Sequence, residues 1–147
     1  MLTFIPVTLI TAAGCALINL WLSIRVGKVR RSEKISIGDG GSEPLIRQMR
    51  AQANFVENAP FVLLLILALE ISNGTSYGLW AASVAFLAAR VLHPLGMDGG
   101  SMKGGRSIGT SLTFLVLIAL AVWALITAYS SERRPAGMAV EAIPAQG

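Results

Sequence analysis

One cysteine, one histidine and two tyrosines in 147 residues leave little room for several kinds of chemistry. Cys15 has no second thiol to pair with, so there is no internal disulfide framework. His93 has no Cys/His cluster around it, so no metal site is expected. Charged residues make up only 14% of the chain against 54% hydrophobic ones, too few to cover a soluble domain of this length. No Lys or Arg precedes Arg25. The apolar start therefore lacks the basic region of a signal peptide, its run is too long for one, and Ala12-Ala13-Gly14-Cys15 resembles a lipoprotein cleavage site only faintly. No Gly-Lys-Ser/Thr follows Gly38-Asp39-Gly40-Gly41, which reads as a flexible link rather than a phosphate loop.

What is there is apolar and periodic. Four segments stand out: Leu2–Ile24, Ala59–Ser72 (continuing a polar-striped helix from Pro44), Leu79–Leu95 and Ile108–Tyr129. Each supplies enough helix for a hydrocarbon core of roughly 30 Å. Backbone groups in lipid must be satisfied within the segment, which leaves helices as the sensible form. The expected fold is all-α, an integral membrane four-helix bundle over residues 1–130, with a disordered tail over 131–147 rich in Pro, Ala and Gly.

Basic residues are distributed unevenly. Arg25, Lys28, Arg30, Arg31, Lys34, Arg47 and Arg50 surround the first connection, and Lys103 and Arg106 lie in the third. The second connection, Asn73 to Tyr77, carries no charge. The positive-inside rule puts the basic connections in the cytoplasm and both termini outside; Arg133 and Arg134 in the tail oppose this weakly. Basic residues beside a membrane suit anionic lipid. No aromatic residue interleaves them and no binding motif is present, so nucleic acid is not an expected partner.

The second apolar segment begins with polar residues that share one face. At about 100° per residue, Arg47, Arg50, Asn54, Glu57 and Asn58 fall within a sector of roughly 100°. Ionisable groups at membrane depth cost about 2.5–3.5 kcal/mol each on insertion scales, so such a stripe marks a functional site by default. Counted from the outer surface, Glu57 lies about 22 Å deep and Arg90 about 20 Å, on consecutive antiparallel helices. A buried Glu57–Arg90 ion pair is expected, as register pin or as part of the site. Arg47, Arg50 and Asn54 show no obvious acidic partner, and unpaired guanidinium forks suit an anionic ligand. His93, one turn beyond Arg90, either faces the same pocket or caps the helix before Pro94. Ser107 reads as an N-cap of helix 4, and Arg106 beside that helix start would favour a thiolate or another anion.

These residues resemble the MAPEG family, the membrane-associated proteins of eicosanoid and glutathione metabolism. Arg50-Ala51-Gln52-Ala53-Asn54-x-x-Glu57-x-x-Pro60 carries the likeness, supported by Arg47, by Ala89-Arg90-x-x-His93 and by Arg106-Ser107. The resemblance implies a homotrimer with glutathione bound between subunits near the cytoplasmic side. Arg47, Arg50, Asn54, Glu57, Arg90 and His93 would hold glutathione, while Arg106, with Ser107 as an alternative donor, would stabilise its thiolate. Gln52 points about 140° off the stripe, as service to a neighbouring subunit's site would require, and Lys28 and Arg30 would contribute from a neighbour too. Asn58 and Met97 stand where leukotriene C4 synthase-like members carry tyrosines.

Three function classes follow. The first is a glutathione transferase or peroxidase acting on hydrophobic electrophiles or lipid hydroperoxides. The second is a non-catalytic lipid-binding or scaffold protein of the same family; retained Arg106 favours the enzyme and the absent tyrosines favour the scaffold. A small four-helix transporter, the third, would be expected to carry a carboxylate in helix 1, which has none over Leu2–Ile24. A bacterial inner membrane is the expected location.

Overall fold

The computed structural model describes residues 4–98, 102 and 104–132. Four helices follow one another: α1 (Pro6–Glu33), α2 (Glu43–Asn73), α3 (Tyr77–Met97) and α4 (Gly105–Glu132). All four are long and apolar enough to cross a membrane. At 1.5 Å per residue the 21 residues of α3 span about 31 Å, close to a hydrocarbon core. The 28 residues of α1 and 31 of α2 run to about 42 and 46 Å, so both stand clear of the lipid. Helix α1 thus continues past the expected end at Ile24 to Glu33. Hydropathy marks only the lipid-embedded part, whereas Arg and Lys are good helix formers that let the helix run on into water. The expected tail begins at the end of α4; its remainder, with Lys103 of the third connection, lies outside the described residues.

Helices α2 and α3 touch each other and both of the others, while among the described residues α1 and α4 do not meet. The bundle is a diamond with α2 and α3 on its short diagonal. Phe55, Ala59, Val62, Ile66 and Leu69 of α2 are buried at alternating spacings of four and three, one helical stripe. They meet Val7 and Leu22 of α1, Leu79 and Phe86 of α3, and Val116 and Leu120 of α4 in one core. Large apolar side chains on the outside, among them Leu17, Phe61, Leu64, Ile118 and Leu125, are exposed as a lipid-facing surface requires.

Local chemistry explains the ends. Ser42 and Ser76 cap α2 and α3, accepting from the amides of Leu45 and Leu79 at 3.3 Å. Helix α1 begins on Pro6 without a side-chain cap of its own. The carboxylate of Glu70, fully buried near the end of α2, supplies one instead. It accepts from the Val7 amide at 3.0 Å, the Thr8 amide at 2.8 Å and the Thr8 hydroxyl at 2.7 Å. Thr75 closes the set from the next connection at 2.8 Å. A negative group at a helix start also complements the helix dipole.

The α3–α4 hairpin is joined backbone to backbone. A Cβ on Gly96 would overlap the Arg106 backbone nitrogen, and one on Gly109 would fall 2.7 Å from the Ala89 carbonyl oxygen. Only glycine permits this approach.

Candidate functional site

The polar stripe of α2 faces the joined ends of α3 and α4, and a cavity of about 450 Å³ opens between them. Arg47, Arg50, Asn54 and Glu57 line it from α2, His93 and Met97 from α3, and Arg106 and Thr110 from α4. Six of the expected site residues therefore converge from three helices. The cationic groups outnumber the single carboxylate of Glu57, and Glu43 partly offsets Arg47 through an ion pair at 2.6 Å. That pair corrects the expectation that Arg47 lacks an acidic partner; it is the i,i+4 arrangement common on helix surfaces.

His93 is held in one tautomer. Its Nδ1 lies 3.3 Å from the Arg106 carbonyl oxygen and 3.1 Å from the Thr110 hydroxyl. Thr110 donates its own proton to that carbonyl at 2.9 Å. Both neighbours can then only accept, so Nδ1 carries the hydrogen. His93 is buried against the cavity, and the helix continues past it to Met97. Of its two expected roles the structure shows the pocket-facing one.

Arg90 departs from its expected partner. The side chain is 1% exposed, yet no Glu57–Arg90 ion pair forms; among the described residues the ion pairs are Arg25–Asp98 and Arg47–Glu43. Arg90 donates to the Asn54 side-chain oxygen at 2.8 Å, to the Asn54 carbonyl at 3.3 Å and to the Gly109 carbonyl at 3.3 Å. Asn54, which Arg90 meets instead, lies three residues before Glu57 and points about 60° from it. Asn54 faces α3, and Glu57 turns to the open side, where it is exposed.

Other expectations fall outside the cavity. Ser107 is exposed within the first turn of α4, which begins at Gly105, so it is not the N-cap, and it does not line the cavity. Gln52 donates to the Ser23 hydroxyl of α1 at 2.8 Å, off the stripe as its angle requires. Arg30 donates to the Gly38 carbonyl at 2.8 Å, and Lys28 is exposed on the last turns of α1. Neither reaches its own chain's cavity.

The MAPEG family model matches residues 8–126. This chain belongs to the MAPEG family. The match takes in most of each of the four helices and every residue of the cavity, so the MAPEG protein described here is an integral membrane four-helix chain. It is similar to the inner membrane protein YecN of Escherichia coli K12, 28% identical over 112 residues that cover 76% of this chain and 85% of YecN. The YecN protein of Escherichia coli O6:H1 matches to the same extent.

Three groups escaped the sequence reading of this MAPEG chain. Thr110 lies four residues after Arg106 on the same face of α4, a spacing that would have disclosed it. Asp98, just past α3, takes bonds from Arg25 of α1 and from Gln48 of α2. Trp21 covers Arg25 at 4.9 Å from its ring centroid. The contacts of Asp98, like those of Glu70, join residues dozens of positions apart and leave no local signal, whereas Trp21 and Arg25 are four apart on one helix face.

Proposed function

We propose that this MAPEG protein is a membrane-bound glutathione transferase or peroxidase acting on hydrophobic electrophiles or lipid hydroperoxides. The observation that carries the reading is the convergence of Arg47, Arg50, Asn54, Glu57, His93 and Arg106 on one cavity. Its volume falls among those of small-molecule sites, roughly 300–1,000 Å³. Glutathione brings two carboxylates and an ammonium. Arg47 and Arg50 offer guanidinium forks for the former, and Glu57 offers a carboxylate for the latter. Arg106, in the first turn of α4, combines a guanidinium with the positive end of a helix, a setting that favours thiolate over thiol. Loss of the thiol proton to water gives the sulfur nucleophile. Attack on an electrophilic carbon forms the S–C bond and expels the leaving group. With a hydroperoxide, two glutathiones yield their disulfide, an alcohol and water.

The reading includes a homotrimer in which Lys28, Arg30 and Gln52, remote from their own cavity, serve a neighbour's. It also includes an inner-membrane location, as the name of YecN says of that protein, with both termini outside the cytoplasm. Electrophiles and lipid peroxides would enter from the bilayer.

Calorimetric titration of the purified protein with glutathione, together with the ultraviolet absorbance of bound thiolate, tests this. Arg106→Ala should diminish the thiolate signal and turnover, and Arg50→Ala should mainly weaken binding. A wild-type protein with neither binding nor thiolate signal would remove the enzyme, and a lipid-binding scaffold would take its place.

A further inference from the structure

A buried guanidinium without a carboxylate is an expensive way to tie three helices together. Arg90 nevertheless stands in the core of α2, α3 and α4, over the Phe86 ring at 5.8 Å, with its Nε unpartnered. Neutral side chains could bridge the same carbonyls at lower desolvation cost. What they could not do is fix the polarity of Asn54. Gln, Ser or His can donate or accept, so an asparagine amide facing one of them can flip. Arginine only donates. The group it meets at 2.8 Å must therefore be the amide oxygen, and the amide nitrogen of Asn54 must turn the other way. The Asn54 backbone carbonyl takes a second bond from Arg90 at 3.3 Å, which holds the guanidinium in place, and one from the Asn58 side-chain amide at 2.7 Å. The Asn54 side-chain nitrogen has no partner among the described residues and is not buried, and the residue lines the cavity.

We infer that Arg90 is a positioning residue: it locks the Asn54 amide so that this side chain presents two N–H donors, and no acceptor, to a ligand oxygen in the cavity. The inference deepens the glutathione reading and rests on it for the ligand's identity, while the lock itself does not depend on that reading. A flip would set N–H groups against a guanidinium and lose a charge-assisted bond. The cavity floor thus admits an anionic or carbonyl oxygen above Asn54 and refuses a donor there.

Asn54→Asp separates the two sides of the lock. The carboxylate still accepts from Arg90, but an oxygen replaces the outward nitrogen. Full-length wild type, Asn54→Asp, Asn54→Leu and Ala53→Asp should be compared by thermal unfolding without ligand and by calorimetric titration with glutathione. Ala53→Asp adds the same charge to the cavity wall without touching the lock. Asn54→Asp should unfold at or above the wild-type temperature and bind glutathione at least tenfold more weakly, with Ala53→Asp losing clearly less. Asn54→Leu should lose both stability and affinity. Asn54→Asp unfolding well below wild type would overturn the lock, and equal losses in Asn54→Asp and Ala53→Asp would overturn the donor role. Wild type inert to glutathione, with Asn54→Asp still as stable, would count for the lock and against the glutathione reading alone.

Discussion

Removing the Glu70 carboxylate should loosen the end of the bundle where α1 begins, by an amount that can be worked from its bonds. Glu70→Ala leaves four donors without their acceptor: the amides of Val7 and Thr8 and the hydroxyls of Thr8 and Thr75. The hydroxyls can rotate toward other oxygens, but the two amides are fixed by the helix. Each buried donor left unpaired costs about 1–3 kcal/mol. Glu70 lies three residues before the end of α2, so water can follow into part of the vacated space, and the lower half of that range applies. Two amides at about 1–2 kcal/mol each give an expected loss of about 2–4 kcal/mol. Glu70→Gln keeps one accepting oxygen but turns an N–H2 toward donors and discards the charge; it should lose about 1–2 kcal/mol. Reversible unfolding in detergent, followed by circular dichroism, measures both. The changes should add little when Thr8→Val is combined with Glu70→Ala, because the hydroxyl then has no partner to lose. A Glu70→Ala protein within about 0.5 kcal/mol of wild type would refute the claim that α2 caps α1.

Gly96→Ala should push α4 away from α3, because the added methyl would overlap the Arg106 backbone; a loss of about 1–3 kcal/mol, or more, should appear as a lowered unfolding temperature, together with weakened ligand binding. Arg25→Ala and Asp98→Ala should each cost a little, with a coupling of about 0.5–1 kcal/mol in the double-mutant cycle, since their side chains are 16% and 40% exposed and water screens the pair. Glu57→Gln should leave stability within about 0.5 kcal/mol of wild type, because its carboxylate is exposed and holds up no part of the core. Reporter fusions at Gly40 and Asn73 should report opposite sides, Gly40 in the cytoplasm.

Periodicity made the four helices legible, and the hydropathy runs located all but the water-exposed ends of α1 and α4. The stripe from Arg47 to Glu57 was legible for the same reason: residues on one helix share a rigid frame, so their common direction follows from spacing alone. Contacts between helices were not. Arg90 was given the wrong partner, because counting residues gives only a position along each axis while the actual contact depends on how side chains of two helices interlock. Ser107 was misread as a cap because Gly105, which starts α4 earlier, has no apolar signature; its role appears only against Gly96. Glu70 carried no sign at all beyond being an acid near the end of an apolar run, where exposure to water is the ordinary reading.

The borrowed cap of α1 bears on how the chain is made. During synthesis α1 leaves the ribosome before α2, and until Glu70 arrives the amides of Val7 and Thr8 have no protein acceptor. Lipid offers none, and such groups are costly to strand there. The start of α1 must then wait at the watery surface, or unravel by a turn, until the far end of α2 crosses the bilayer. Insertion of the first two helices is thereby coupled, with the hairpin rather than the single span as the unit that becomes stable. Truncation anywhere before residue 70 would leave a first helix of ample hydrophobicity that still could not finish its own beginning.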